Sequence, residues 1–210
     1  MIAEYKKKSD LHLFRKAWHI LGVLGLFLIW NLFQFPVSCF IFVALWLFFV
    51  PGDIVRVKYP HYNKIFNRLF QPILRSTELD QLAGTTYLLT SVIFISITFS
   101  HSIVSLSLLF LAFADPIASF VGIKWGRNKI FGHKSLQGFS AAFVVCTVVT
   151  YFFLAYFHGP TNILFFAVLA GLCGALAELI PVGHMDDNFT MPILSSICLY
   201  FLFIVFNIQL

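Results

Sequence analysis

Charge is scarce in this chain: only 11% of its 210 residues are Asp, Glu, Lys or Arg, while 60% are apolar. A soluble globular domain needs more polar surface than that, and a disordered tail needs far fewer apolar residues. With a mean hydropathy of +0.89, the composition leaves a membrane protein. Cysteine is sparse and unpatterned. Cys39, Cys146, Cys173 and Cys198 fall inside apolar runs without CxxC spacing, which argues against a metal centre or a disulfide framework and leaves small packing residues. Internal repeats, low-complexity tracts and Gly/Ser linkers are missing, so residues 1–210 read as one domain. The first apolar run is too long for a signal peptide, and no small-residue cleavage site follows it.

What charge there is, is segregated. The 14 Lys and Arg residues fall into three clusters, Lys6 to Lys16, Arg56 to Arg75 and Lys124 to Lys134, with none after Lys134. Cytoplasmic loops carry the excess of Lys and Arg, so each cluster is expected inside and each apolar gap should hold an even number of passes. Helix pairs are placed at 16–53 and 82–121, divided at Asn31 to Pro36 and at Ser100 to Ser102. In detail the spans read Ala17 to Phe35, Pro36 to Val50, Ala83 to Phe99, Ile103 to Val121, Phe139 to Phe157, Ile163 to Ile180 and Phe189 to Phe206. The expected fold is therefore an all-α, polytopic bundle of about seven transmembrane helices, N-terminus cytoplasmic and C-terminus external. Residues 54–80 form a cytoplasmic interfacial segment, 122–137 a cytoplasmic basic loop, and 138–208 the last three spans. Within the interfacial segment, Ile65, Phe66, Leu69, Phe70, Ile73 and Leu74 recur at helical spacing opposite Lys64, Asn67, Arg68 and Gln71, and Pro72 is placed to end or kink that helix.

All nine Asp and Glu map to the same cytoplasmic side or to the inner ends of spans. The outer turns carry no charge, so any phosphate or metal chemistry is confined to the inner face. Asp115 stands out, a carboxylate in the otherwise apolar or small stretch Leu108 to Val121, which costs several kcal/mol unless paired or hydrated. Ala114, Ala118, Gly122 and Gly126 recur around it at fourfold spacing, which also suits plain close packing. Gly126-Arg127-Asn128-Lys129 and Gly132-His133-Lys134-Ser135-Leu136-Gln137-Gly138 then offer backbone N–H groups and cations ahead of a helix start, suited to phosphate oxygens or simply to a basic juxtamembrane loop. The glycine spacing is not that of a Walker A loop. Glu178 precedes Asp186-Asp187-Asn188, which can ligate Mg²⁺ through oxygen or cap the last helix. Arg15, Lys16 and His19 close the first basic cluster, and Arg75 and Glu78 precede Gly84-Thr85-Thr86-Tyr87. His101 and His158 are placed on the outer side, and His12, His61 and His184 read as solvated.

In order and spacing these elements resemble the CTP-dependent lipid kinases, a family that includes dolichol kinase, phytol kinase and the eukaryotic CTP-dependent diacylglycerol kinase. Arg15-Lys16-x-x-His19 resembles its N-terminal basic motif, and Arg75-x-x-Glu78 with Gly84-Thr85-Thr86-Tyr87 its next one. Ala114-Asp115-Pro116-x-Ala118 with Gly122 and Gly126 is similar to its Asp-Ala-Gly-Gly signature, although Pro116 stands where Gly or Ser is more common. Lys134-Ser135-x-x-Gly138 resembles its Lys-Ser-x-x-Gly element, and Glu178, Asp186, Asp187 and Asn188 its acidic element. The resemblance implies phosphorylation of a membrane lipid alcohol with CTP as donor and Mg²⁺ as cofactor. It implies Asp115, Lys134 and Glu178 as catalytic, and Arg15, Lys16, Arg75, Gly122, Gly126, Lys129, Ser135 and Gly138 as nucleotide- or phosphate-binding. Asp186, Asp187 and Asn188 would hold the metal, with His19 and Glu78 in support. The partners expected are CTP, a lipid alcohol and the bilayer, not nucleic acid. A CTP:phosphatidate cytidylyltransferase would use similar parts, but its Asp-Arg-x-x-Asp signature is missing. A small transporter or lipid scaffold would use Asp115 as an ion site, against which the acidic turn and basic loop on one face argue.

Overall fold

The computed structural model describes residues 13–70, 79–157, 162–183 and 185–208. Arg75, Glu78, Pro72, His12, His184 and most of the turn from His158 to Asn162 lie outside the described residues. The chain is all-α but for one hairpin: α1 (Leu13–Leu32), α2 (Phe35–Lys58), α3 (Pro60–Leu69), α4 (Gly84–Thr98), α5 (His101–Leu109), a π-helical turn (Phe110–Ala114), α6 (Asp115–Lys124), β1 (Lys129–Phe131), β2 (Lys134–Ser135), α7 (Leu136–Tyr156), α8 (Ile163–Leu179) and α9 (Asp187–Val205). The π turn joins α5 and α6 into one rod, so eight helical rods are described. Five are long and apolar enough to cross a membrane, namely α1, α2, the His101–Lys124 rod, α7 and α9. Helices α4 and α8 are also apolar but have 15 and 17 residues, about 23 and 26 Å at 1.5 Å per residue, short of a hydrocarbon layer of roughly 30 Å.

The α5 to α6 rod is the centre of the bundle. Residues 102–108 are all buried, as are Phe110, Leu111, Ala112 and Ala114. Two of its buried serines are paired there: Ser105 Oγ donates to Asn31 Oδ1 at 3.2 Å, and Ser107 and Ser196 share a 2.8 Å hydrogen bond. Around the rod the outer helices turn bulky side chains outward; Phe40, Phe48, Phe152 and Val205 are mostly exposed, as side chains facing acyl chains would be. At the end remote from most of the charge, Trp30 Nε1 donates to the His101 carbonyl at 3.0 Å and His101 Nε2 lies 3.2 Å from the Trp30 carbonyl, with the rings stacked.

Two features depart from the sequence expectation. Helix α2 does not stop at Val50 but runs through Pro51 to Lys58. Pro51 removes one backbone donor, yet the added turns are held by a buried ion pair: Asp53 and Arg56 are 7% and 1% exposed, with Arg56 Nη2 2.7 Å from Asp53 Oδ1. Arg56 also donates to Asn63 Oδ1 and to the carbonyls of Leu79 and Gln81, and its guanidinium sits 4.8 Å from the centre of the Phe66 ring. The other oxygen of Asp53 accepts from Ala83 N and Thr86 Oγ1 at 2.8 and 2.7 Å, capping α4 from 30 residues away. The second departure is inside the basic loop, where β1 and β2 pair antiparallel. The turn needs a positive φ at Gly132, +52°, a conformation that glycine adopts without steric penalty.

Candidate active site

A single cleft collects most of the residues singled out by sequence. It is lined by Arg15, Lys16 and His19 of α1, by Asp115 and Gly122 of α6, by His133, Lys134 and Ser135 at the hairpin, by Gly138 of α7, by Glu178 of α8 and by Asp186, Asp187 and Asn188 at the start of α9. Most come from the ends of elements, while Asp115 lies within the His101–Lys124 rod; an apolar span can carry a charge only where it leaves the membrane or faces a shared polar cavity.

The position of Asp115 follows from its neighbour. In π geometry the carbonyl of Leu111 looks to the N–H five residues on, at position 116, where proline has none. The freed carbonyl is taken by His19, whose Nε2 lies 3.0 Å away and places that nitrogen 3.8 Å from Asp115 Oδ2. One turn below, Lys16 Nζ donates to the Pro116 carbonyl at 3.0 Å and to Ser119 Oγ at 2.8 Å. Helix α1 is thus fastened to the widened turn, and the Asp115 side chain, 24% exposed, faces the cleft.

Across the cleft, Lys134 Nζ donates to the Glu178 carbonyl and to Asp187 Oδ1 at 3.2 Å, and lies 3.4 Å from Glu178 Oε1. Burial alone would lower its pKa, but the carboxylates of Asp187, Glu178 and Asp115 outweigh that and raise it above the ordinary lysine value. Lys134 is therefore a fixed cation at every working pH. Asp186 caps α9: its Oδ1 accepts from Asn188 N at 2.9 Å and from Asn188 Nδ2 at 2.7 Å.

The metal reading can be tested on this donor set. Among the described residues no three His, Cys, Asp or Glu side chains are grouped to cage an ion. Mg²⁺, however, is commonly held by one or two carboxylates with waters and substrate phosphates, and adjacent Asp186 and Asp187 fit that pattern. The charge of the lining agrees, since three cations (Arg15, Lys16, Lys134) face four carboxylates (Asp115, Glu178, Asp186, Asp187). A polyphosphate would add negative charge to that lining, which a bound divalent cation would offset.

The remaining expected residues divide. Gly122 and Gly138 are buried in the cleft wall, and Ser135, 2% exposed, caps α7 by accepting from Gly138 N at 3.2 Å. Of these three glycines Gly126 packs hardest: a Cβ there would lie 2.2 Å from the Gly122 carbonyl oxygen and 2.5 Å from Ser135 Oγ. Lys129 is not brought into the cleft; its Nζ donates to the carbonyls of Gly122 and His133. Sequence reasoning missed Ser119 and His133, which also line the cleft, and the Asp53–Arg56 pair. The i, i+3 spacing of that pair was its one legible signal. Ser91 Oγ joins α4 to the Asn188 carbonyl at 2.9 Å, so the region capped by Asp53 leans on the acidic turn.

No family model matches the chain, and no solved structure matches it. Among curated proteins, the chain is 31% identical over 166 residues to CTP-dependent diacylglycerol kinase 1 of Schizosaccharomyces pombe, covering 72% of this chain and 76% of that protein. It is 30% identical over 165 residues to CTP-dependent diacylglycerol kinase 1 of Saccharomyces cerevisiae, covering 69% of this chain but only 57% of that protein. It is also 28% identical over 195 residues to an uncharacterised protein of Rickettsia prowazekii, covering 88% and 90%.

Proposed function

Because the chain belongs to the family of the CTP-dependent diacylglycerol kinases, we propose that it transfers the γ-phosphoryl group of CTP to the hydroxyl of a membrane lipid alcohol, at the cleft between α1, α6, the hairpin and α9. The acceptor class is diacylglycerol, a polyprenol or a phytol-like alcohol. The observation that carries the reading is the cleft itself, where Asp115, Lys134, Glu178 and the Asp186–Asp187 pair meet Arg15 and Lys16 at the end of an apolar bundle.

Phosphoryl transfer asks little covalent chemistry of a protein and much positioning and charge neutralisation. Lys134, held by two carboxylates and a carbonyl, presents a cation to the transferring phosphate without needing to reorganise. Arg15 and Lys16 approach from the opposite wall. Asp115 stands where it can orient an acceptor hydroxyl and draw its proton, and His19 keeps the turn that carries it in place. Asp186 and Asp187 would hold Mg²⁺, which would supply positive charge beside the nucleotide phosphates and offset the carboxylate excess. Arg75 and Glu78 belong to the same motif set, outside the described residues. The clustering of Lys and Arg supports a cytoplasmic cleft, with the N-terminus inside, seven passes including the two short helices, and the C-terminus outside.

The test is to incubate purified protein with CTP labelled in either the α- or the γ-phosphate and with each class of lipid alcohol. The kinase reading expects only γ-label in the lipid. Label from the α-phosphate in the lipid would mean cytidylyl transfer instead, and no label from either would remove the enzyme reading.

A further inference from the structure

Beside the main cleft, and sharing Ile123 with it, lies a second one lined by Ile123, Lys124, Trp125, Gly126, Arg127 and Gln137. Gly122 lines the first and Gly126 the second, on either side of the C-terminal end of α6. Trp125 is 53% exposed, and two contacts orient its ring. Lys124 Nζ lies 4.6 Å from the centre of the Trp125 ring, and the Phe120 ring meets it edge-on at 5.8 Å. Gln137 is oriented too: its Oε1 accepts from Asn128 N at 3.3 Å, while the Leu136 N–H donates to the Asn128 carbonyl at 2.8 Å and holds that strand edge in place. With its oxygen engaged, the Gln137 amide offers its NH₂ as a donor.

We infer that this second cleft is the subsite for the cytosine base of the nucleotide, a deepening that rests on the CTP-dependent reading above. A triphosphate gripped by Lys134 and Lys16 must send its nucleoside outward, and the adjoining cleft supplies what a base requires. Trp125 gives a stacking platform, Arg127 a planar cation, and Gln137 a directional donor. The donor also discriminates. Cytosine presents O2 and N3 as acceptors, whereas uracil carries a hydrogen on N3, so the same NH₂ that bonds cytosine meets a second donor in uracil. A directed donor that is matched by one ligand and opposed by another separates the two. The competing role for Trp125 is an anchor at the membrane–water interface, which would affect stability in the bilayer and leave nucleotide preference untouched.

The experiment uses the full chain in lipid nanodiscs, with binding of CTP and UTP measured by calorimetry and γ-phosphoryl transfer measured alongside. Trp125→Ala should raise Kd and KM for CTP about tenfold while kcat stays within about threefold, and Trp125→Phe should restore most of the loss. Gln137→Glu replaces the donor by an acceptor and should lower the preference for CTP over UTP at least about tenfold. Unchanged CTP affinity in Trp125→Ala together with unchanged CTP/UTP preference in Gln137→Glu overturns the subsite. If Trp125→Ala fails to fold, Gln137→Glu alone decides. A wild-type protein that binds CTP yet phosphorylates no lipid refutes the kinase reading, and the variants' Kd values then judge the base cleft separately. A wild type that binds neither nucleotide refutes both.

Discussion

Replacing Lys134 with Met removes a cation from the middle of a carboxylate cluster while keeping the length of the side chain. Lys134 is 17% exposed and lies 3.4 Å from Glu178 Oε1 and 3.2 Å from Asp187 Oδ1, whose side chains are 7% and 30% exposed. At an effective dielectric constant of about 20, each contact is worth roughly 5 kcal/mol of Coulomb energy, much of it offset by desolvation of the ammonium group. The Asp187 contact counts for less because water reaches it. Removing one partner of a buried pair leaves the other charge uncompensated, at a net cost of about 3 kcal/mol. For a chain of this size that is a fall of roughly 6–12 °C in the thermal midpoint, followed in detergent. The double variant Lys134→Met, Glu178→Gln should recover most of the midpoint, since it removes the orphaned charge along with its cause, while remaining inactive for want of the phosphate-facing cation. A single variant with a midpoint within about 2 °C of wild type would refute the reasoning, because Lys134 would then not be holding the carboxylates together.

Asp186→Asn keeps an acceptor for the Asn188 N–H but removes a charge from the proposed Mg²⁺ site, so activity should fall at least about a hundredfold with little change in thermal stability; excess Mg²⁺ restoring part of the rate would support the assignment, and full activity would move it elsewhere. Asp53→Ala removes the carboxylate paired with the buried Arg56 and deprives Ala83 N and Thr86 Oγ1 of their acceptor, so about 3 kcal/mol of stability should be lost in denaturation measurements, against near-zero for a surface pair. Gly126→Ala would drive a methyl group into the Gly122 carbonyl and Ser135 Oγ, so both activity and the thermal midpoint should drop, the latter by about 1–3 kcal/mol equivalent. Cysteine labelling on a background free of the four native cysteines should find position 129 reactive only from the cytoplasmic side; labelling from outside would reverse the orientation inferred from the Lys and Arg clusters.

The bundle was legible because apolar runs and charge clusters alternate so cleanly that each rod could be placed from sequence within a few residues, α2 excepted. The cleft was legible for the same reason: a chain that keeps its charge at span ends leaves few places for Asp115, Lys134, Glu178 and Asp186 to meet. What escaped was decided by tertiary contacts. The second span was bounded at Val50, whereas α2 is carried past Pro51 by the Asp53–Arg56 pair, which is anchored by residues up to 33 positions away. The π turn ahead of Asp115 has no signature of its own; only Pro116 hints at it, and His19 completes it from another helix. The hairpin at Lys129–Ser135 is too short to show period-two alternation. Gly126 read as a phosphate-facing glycine, but the structure also packs it against Gly122 and Ser135, a contact visible only once α6 and the hairpin are docked.

The central claim is that this cleft moves the γ-phosphate of CTP onto a lipid hydroxyl, and it is tested most directly by following γ-labelled CTP into extractable lipid with wild-type protein and Asp115→Asn side by side in the same nanodiscs. The prediction is label in a lipid alcohol with the wild type, and a loss of at least about a hundredfold in Asp115→Asn while CTP still binds. Equal labelling by the two proteins, or no labelling by the wild type, would contradict it.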